Sequence, residues 1–186
     1  LLFDLEHGCG SEASLLGNLQ AIRGTAAAGI VRVGAPHPDL ILRALDWGAD
    51  GIMVPHVESE EAAEACVRAV HYPPRGHRGL SRSGRAYGYG VRPVDENELP
   101  RPVFIAQIET LAGVSQARAI AAVDGVDMLF VGPTDLKFDL QVRSPVPPVS
   151  YEACLRTVIE AAGSAGKATG ILVRNIEEVE RLRALG

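Results

Sequence analysis

Short apolar runs alternate along this chain with longer stretches in which apolar and polar positions recur at helical spacing, and the alternation repeats six times. The short runs predict strands over 1–5, 30–33, 51–54, 103–108, 128–131 and 168–173. The longer ones predict helices over 12–28, 38–47, 60–70, 114–123, 151–165 and 176–185. Start signals support three of these helices. Ser59, Ser150 and Asn175 each stand just before a helix whose first turn holds acids, so an oxygen caps orphan amides at the positive end of the dipole. Gly29, Gly48 and Gly166 are expected to close helices in the left-handed conformation.

Strands that are apolar on both faces, each followed by a helix, describe a parallel sheet covered by helices. Right-handed crossovers leave an open doubly wound sheet or a closed (β/α)8 TIM barrel. Polar residues at the strand ends favour the barrel, because in a barrel every carboxyl end faces one mouth. Asp4, Glu6 and His7, Arg32, His56, Gln107 and Glu109, and Asp135 all occupy such places. The expectation is therefore one α/β domain over 1–186, an incomplete TIM barrel of about six βα units with terminal units missing. One connection is out of proportion. Residues 72–102 hold six arginines and three tyrosines amid Pro and Gly, and a loop this long in a compact domain is functional or mobile. It is expected over the barrel mouth, where it would meet anions, or as a surface excursion or oligomer contact.

Composition narrows the classes. The 186 residues are 47% hydrophobic, 22% charged and 5% aromatic, which is ordinary for a globular domain with an aliphatic core. A net charge of −5 without any Lys/Arg block argues against a nucleic-acid or anionic-membrane surface. No apolar run reaches the roughly 18 residues of a membrane span, and with no charged n-region before an apolar h-region no signal peptide is expected. Three scattered cysteines, Cys9, Cys66 and Cys154, form no zinc-type spacing and suit a reducing cytoplasm.

The candidate chemistry lies at the strand ends. Glu109 follows the apolar run 103–108, where desolvating a carboxylate is expensive unless it is paired or bound to metal. Asp135 stands one βα unit later, and two hard oxygen donors suit a divalent cation such as Mg²⁺, Mn²⁺ or Co²⁺. The plainer alternative is that each acid caps a following helix. In "VGPTDL" the turn at Gly132 and Pro133 exposes amides near Thr134 and Asp135, a cradle for a substrate carboxylate. Arg32, inside "IVRV", either meets an enolate or keto-acid oxygen or pairs structurally with Asp4 or Glu109. His7 is a candidate general base that Asp4 would orient. His56 ends a strand with no evident partner. The phosphate-loop, HExxH and GxSxG patterns are absent, and no lysine ends a core strand, which removes a Schiff-base mechanism.

Taken in order, "FDLEHG", "VRV", "LDWGADGIMVPHVESEEAA", "YPPRGHRG", "RAYGYG", "QIET…AIAAVDGVDMLFVGPTDL" and "GKATGI" resemble the HpcH/HpaI aldolases, metal-dependent class II pyruvate aldolases whose wider family includes citrate lyase β-subunit-like enzymes. The resemblance implies a phosphoenolpyruvate/pyruvate-type TIM barrel in a homo-oligomer, a hexamer or a trimer. It implies Glu109 and Asp135 as metal ligands and Arg32 as the group steadying enolate and aldehyde oxygens. His7 with Asp4 would serve acid–base chemistry through water. Gln107 would contact the pyruvyl group, and Gly132 and the Thr134 amide would hold its carboxylate. The expected reaction is cleavage of a 4-hydroxy-2-keto acid to pyruvate and an aldehyde. An acyl-CoA lyase of the citrate lyase type, or a non-catalytic assembly subunit, is the alternative.

Overall fold

All six predicted strands form in the computed structural model, which describes residues 1–91, 93, 95, 99–143 and 148–186. They are β1 (Leu2–Asp4), β2 (Ile30–Arg32), β3 (Gly51–Val54), β4 (Val103–Ile108), β5 (Met128–Val131) and β6 (Ala168–Ile171). Their order in the sheet is their order in the chain, and the registers, from Leu2 against Ile30 to Val131 against Ile171, are parallel. The helices are α1 (Glu12–Ala21), α2 (Pro38–Asp46), α3 (Glu60–Val70), α4 (Leu111–Ala122), α5 (Pro133–Val142), α6 (Tyr151–Ser164) and α7 (Glu178–Arg183). Contacts divide the chain into two units, one of residues 1–55 and 65–104, the other of 56–64 and 105–186.

In the first unit, Val31 of β2 and Ile52, Met53 and Val54 of β3 are buried, as strands apolar on both faces require. Helix α2 starts with Pro38 in its first turn and buries Ile41, Ala44 and Leu45, one face at helical spacing. Gly48 then takes φ 94°, the left-handed turn expected of it. Helix α1 buries Leu15 and Leu19 but stops at Ala21, short of the predicted end. Gly24 (φ 81°) and Thr25, whose hydroxyl donates to the Ile22 carbonyl at 2.7 Å, break it there, so Gly29 closes no helix.

Part of the long loop is turned into the first unit. A 3-10 helix, Arg85–Gly90, brings the Tyr87 hydroxyl to 2.8 Å from that of Tyr72. Buried Arg78 bonds Asp46 at 2.8 Å and stacks 4.5 Å from the Tyr72 ring centre, and Arg85 donates to the carbonyls of Leu19 and Trp47. These two arginines brace the unit rather than wait for an anion. Residues 92, 94 and 96–98 of the same loop lie outside the described ones.

In the second unit, Ile105, Ala106 and Ile108 of β4 and Leu129 and Val131 of β5 are buried. Helix α6 starts where Ser150 accepts from the Ala153 amide at 3.1 Å, and buries Cys154, Leu155, Val158, Ala161 and Ala162. It packs on α4, whose Ala117 and Ala121 are fully buried; small side chains let two helices approach closely. Helix α4 starts three residues earlier than its apolar spacing indicates, because Thr110 caps it, accepting from Gly113 at 3.1 Å. Helix α5 was not expected beyond a turn. It buries only Leu136 and Asp139, so it carries no apolar stripe to read. Helix α7 is shorter than predicted and leaves Ile176 outside it, exposed.

Candidate active site

The end of β4 presents Gln107 and Glu109, both 2% exposed. One Glu109 oxygen, Oε1, accepts from the His56 amide at 2.8 Å and lies 3.2 Å from His56 Nδ1. The other, Oε2, accepts from the Gln107 side-chain amide. His56, without an evident partner in the sequence, meets Glu109 in the fold. His56 also holds φ 53°, a conformation rare for any residue but glycine, and such strain is characteristic of functional turns. Its only signal in the sequence was its place at the end of β3.

Gly132, the N-cap of α5, faces the same carboxylate. A Cβ there would stand 2.5 Å from Glu109 Oε2 and 3.1 Å from Gln107 Nε2, so only glycine leaves the space. Its amide donates to the Ile108 carbonyl at 3.0 Å, which ties the start of α5 to the end of β4. Asp135 follows in the first turn of α5, half-buried, with no side-chain ion pair or hydrogen bond to another described residue. The amides of Thr134 and Asp135 are first-turn donors without a helical acceptor. Asp139, one turn on and 7% exposed, accepts from the Leu111 amide at 2.8 Å, and so joins α5 to the start of α4. Sequence reading missed this acid, because a carboxylate that caps a neighbouring helix has no local pattern.

These residues fit a divalent cation. Glu109 is a desolvated carboxylate whose partners are two amides and an imidazole, and a buried anion without a full countercharge is costly. Gly132 keeps the space beside Oε2 clear, and Asp135, the second acid expected from the sequence, lies in the first turn of the helix that Gly132 begins. The plainer expectation, that each acid caps the helix after it, does not describe Glu109, since Thr110 caps α4.

In the first unit, Arg32 at the end of β2 meets Asp4 at the end of β1. Arg32 Nε lies 2.8 Å from Asp4 Oδ1 and its Nη2 lies 2.5 Å from Oδ2, a two-pronged pair, while Nη1 lies 3.0 Å from Glu6 Oε2. Asp4 also accepts from the amides of Glu6 (3.0 Å) and His7 (3.3 Å). Burial raises the Asp4 pKa, but Arg32 and those two amides outweigh it, and the carboxyl sits below the ordinary range. Asp4 thus holds Arg32 rather than the His7 ring; the ring is exposed and 3.7 Å from Glu6. Of the cysteines, Cys66 and Cys154 are buried, and burial pushes the Cys66 thiol up to about 11, the mark of a packing residue.

Comparison with known proteins places the chain. The family model described as HpcH/HpaI aldolase/citrate lyase matches residues 1–186. A 5-keto-4-deoxy-D-glucarate aldolase of Shigella dysenteriae is 35% identical over all of this chain and 73% of its own length. An HpcH/HpaI aldolase/citrate lyase family protein of Burkholderia cenocepacia superposes with a TM-score of 0.91 at 33% identity, over all of this chain and 75% of that one. An HpcH/HpaI aldolase of Desulfitobacterium hafniense gives 0.87 at 27%, over 99% and 72%. The fold is accordingly an incomplete α/β barrel, six parallel strands with alternating helices. No helix among the described residues is long and apolar enough to cross a membrane. On the family model over residues 1–186 and the aldolase relatives that match it, the chain belongs to the HpcH/HpaI aldolase/citrate lyase family and is a carbon–carbon lyase.

Proposed function

We propose that the chain cleaves a 4-hydroxy-2-keto acid into pyruvate and an aldehyde, and joins them in reverse, with a divalent cation held by Glu109 and Asp135. The observation that carries this reading is the buried carboxylate of Glu109, kept clear by Gly132 at the start of the helix that bears Asp135. A cation bound there would stabilise the negative charge that develops on the keto oxygen as the bond breaks. The rest falls to side chains and amides. The free amides of α5, at Thr134 and Asp135, are suited to the substrate carboxylate. The Gln107 amide, which donates to Glu109, is assigned the pyruvyl group, as the resemblance implies. Removing the proton from the 4-hydroxyl lets the C3–C4 bond break toward the carbonyl; the aldehyde departs, and the enolate left behind takes up a proton at C3 to become pyruvate. His7 is assigned this transfer, through water; Arg32, oriented by Asp4 and Glu6, is assigned the aldehyde oxygen.

In the acyl-CoA alternative the loop arginines would meet CoA phosphates; two of the six, Arg78 and Arg85, are engaged in packing. A homo-oligomer, as the resemblance implies, belongs to the same proposal. The test is release of pyruvate from a 4-hydroxy-2-keto acid, followed with and without chelator. Turnover that needs Mg²⁺, Mn²⁺ or Co²⁺, and that disappears in Glu109→Ala while the far-ultraviolet circular dichroism is unchanged, supports the reading. Full activity of Glu109→Ala would contradict it.

A further inference from the structure

The face of α5 away from Asp139 opens on a cavity of about 430 Å³, bounded by the end of β6 and by α7. Thr134 and Lys137 line it from α5, Tyr151 from the start of α6, and Arg174, Glu178 and Arg181 from the segment after β6. Lys137 Nζ stands 4.7 Å over the Tyr151 ring. Burial raises the Tyr151 hydroxyl pKa, Glu178 adds to the rise and Arg181 opposes it, and both line the cavity with that ring. Three cations thus share the cavity with one acid, and none of the three makes a side-chain ion pair or hydrogen bond to another described residue. Elsewhere on the same elements, Arg156 pairs with Glu152 and Arg183 with Glu180. An unmatched charge of plus two in a concavity concentrates field on an incoming anion, and guanidinium forks fit carboxylate and phosphate oxygens two at a time.

We propose that this cavity is an oxyanion site that takes the carboxylate or phosphate at the far end of the substrate, with Arg174, Arg181 and Lys137 as its donors. Thr134 connects the two ends: its amide is assigned the pyruvyl carboxylate, and its side lines the cavity. The inference rests on the aldolase reading for its substrate, but the site itself can be judged alone. A neutral Tyr151 hydroxyl supplies a further donor, and Glu178 would repel a singly held anion, favouring ligands that reach both arginines.

The experiment has two arms. The first is the melting temperature with inorganic phosphate as the probe, for the native protein, for Arg174→Gln/Arg181→Gln, and for Arg156→Gln as a control. Phosphate is expected to raise it in the native protein and the control and to leave the double variant unmoved. An equal rise in the double variant overturns the site. The second arm is aldol synthesis from pyruvate with an aldehyde bearing a carboxylate and with its neutral alcohol counterpart. The double variant should raise KM roughly tenfold for the charged aldehyde, as loss of a charge-assisted contact implies, and leave the neutral one unchanged. Loss of phosphate binding with no change in that discrimination would make the anion a separate effector and overturn the substrate assignment. If the native protein turns over neither aldehyde, the aldolase reading fails, while the phosphate arm still decides the site.

Discussion

Gly132 does what no other residue type can do at its position. Its backbone lies against Glu109, and even a methyl group would come within 2.5 Å of Oε2. Gly132→Ala must therefore push the carboxylate away or move the start of α5, and we expect it to abolish metal-dependent turnover while lowering the melting temperature only slightly. Native metal dependence in this variant would mean that Glu109 is not the ligand. Asp4 is the second decisive residue. Its folded-state pKa lies below the unfolded value, so its stabilising share is complete above about pH 4 and is lost as pH falls through the lower folded value. Asp4→Asn removes that share. Urea midpoints measured across the acid range should fall more steeply with pH in the native protein than in the variant; parallel curves would show that the Arg32 pair contributes nothing to the linkage.

Among the elements, α5 is the one whose placement matters most and whose sequence shows least. Its N-terminus is fixed by the Gly132 amide on Ile108 and its second turn by Asp139 on Leu111, so it is tied to β4 and α4 at two points. Asp139→Ala leaves the first amide of α4 without its acceptor and should destabilise the protein by about 1–2 kcal/mol. Asp139→Asn, which keeps an accepting oxygen, should recover most of this in a denaturant titration. Equal loss in both variants would assign the effect to Arg143, whose Nε lies 3.2 Å from the other Asp139 oxygen. Ser150→Ala provides a calibration at an ordinary cap: about 1 kcal/mol, from the bond to the Ala153 amide.

For the molecule as a whole, the six strands were legible because burial on both faces leaves uninterrupted apolar runs, as in 103–108. The carboxylate Glu109 was legible for the complementary reason, since a charge at the end of such a run requires an explanation. Three features were not. Helix α5 buries almost nothing apolar, the reach of Asp139 to Leu111 spans 28 residues, and the partner of His56 comes from β4, 53 residues on. Helix ends at Ala21 and Leu111 shifted because glycine and threonine geometry overrode the apolar period. Contacts made across the sheet lie beyond local pattern.

The central claim is that Glu109 and Asp135 together hold one divalent cation. Its most direct test is calorimetric titration of the chelator-treated protein with Mn²⁺, in the presence of oxalate as a pyruvate-enolate mimic, for the native chain, Glu109→Gln and Asp135→Asn. One site per chain, tightened by oxalate and weakened at least about a hundredfold in each variant, is the predicted result. Unchanged binding in either variant would contradict the account.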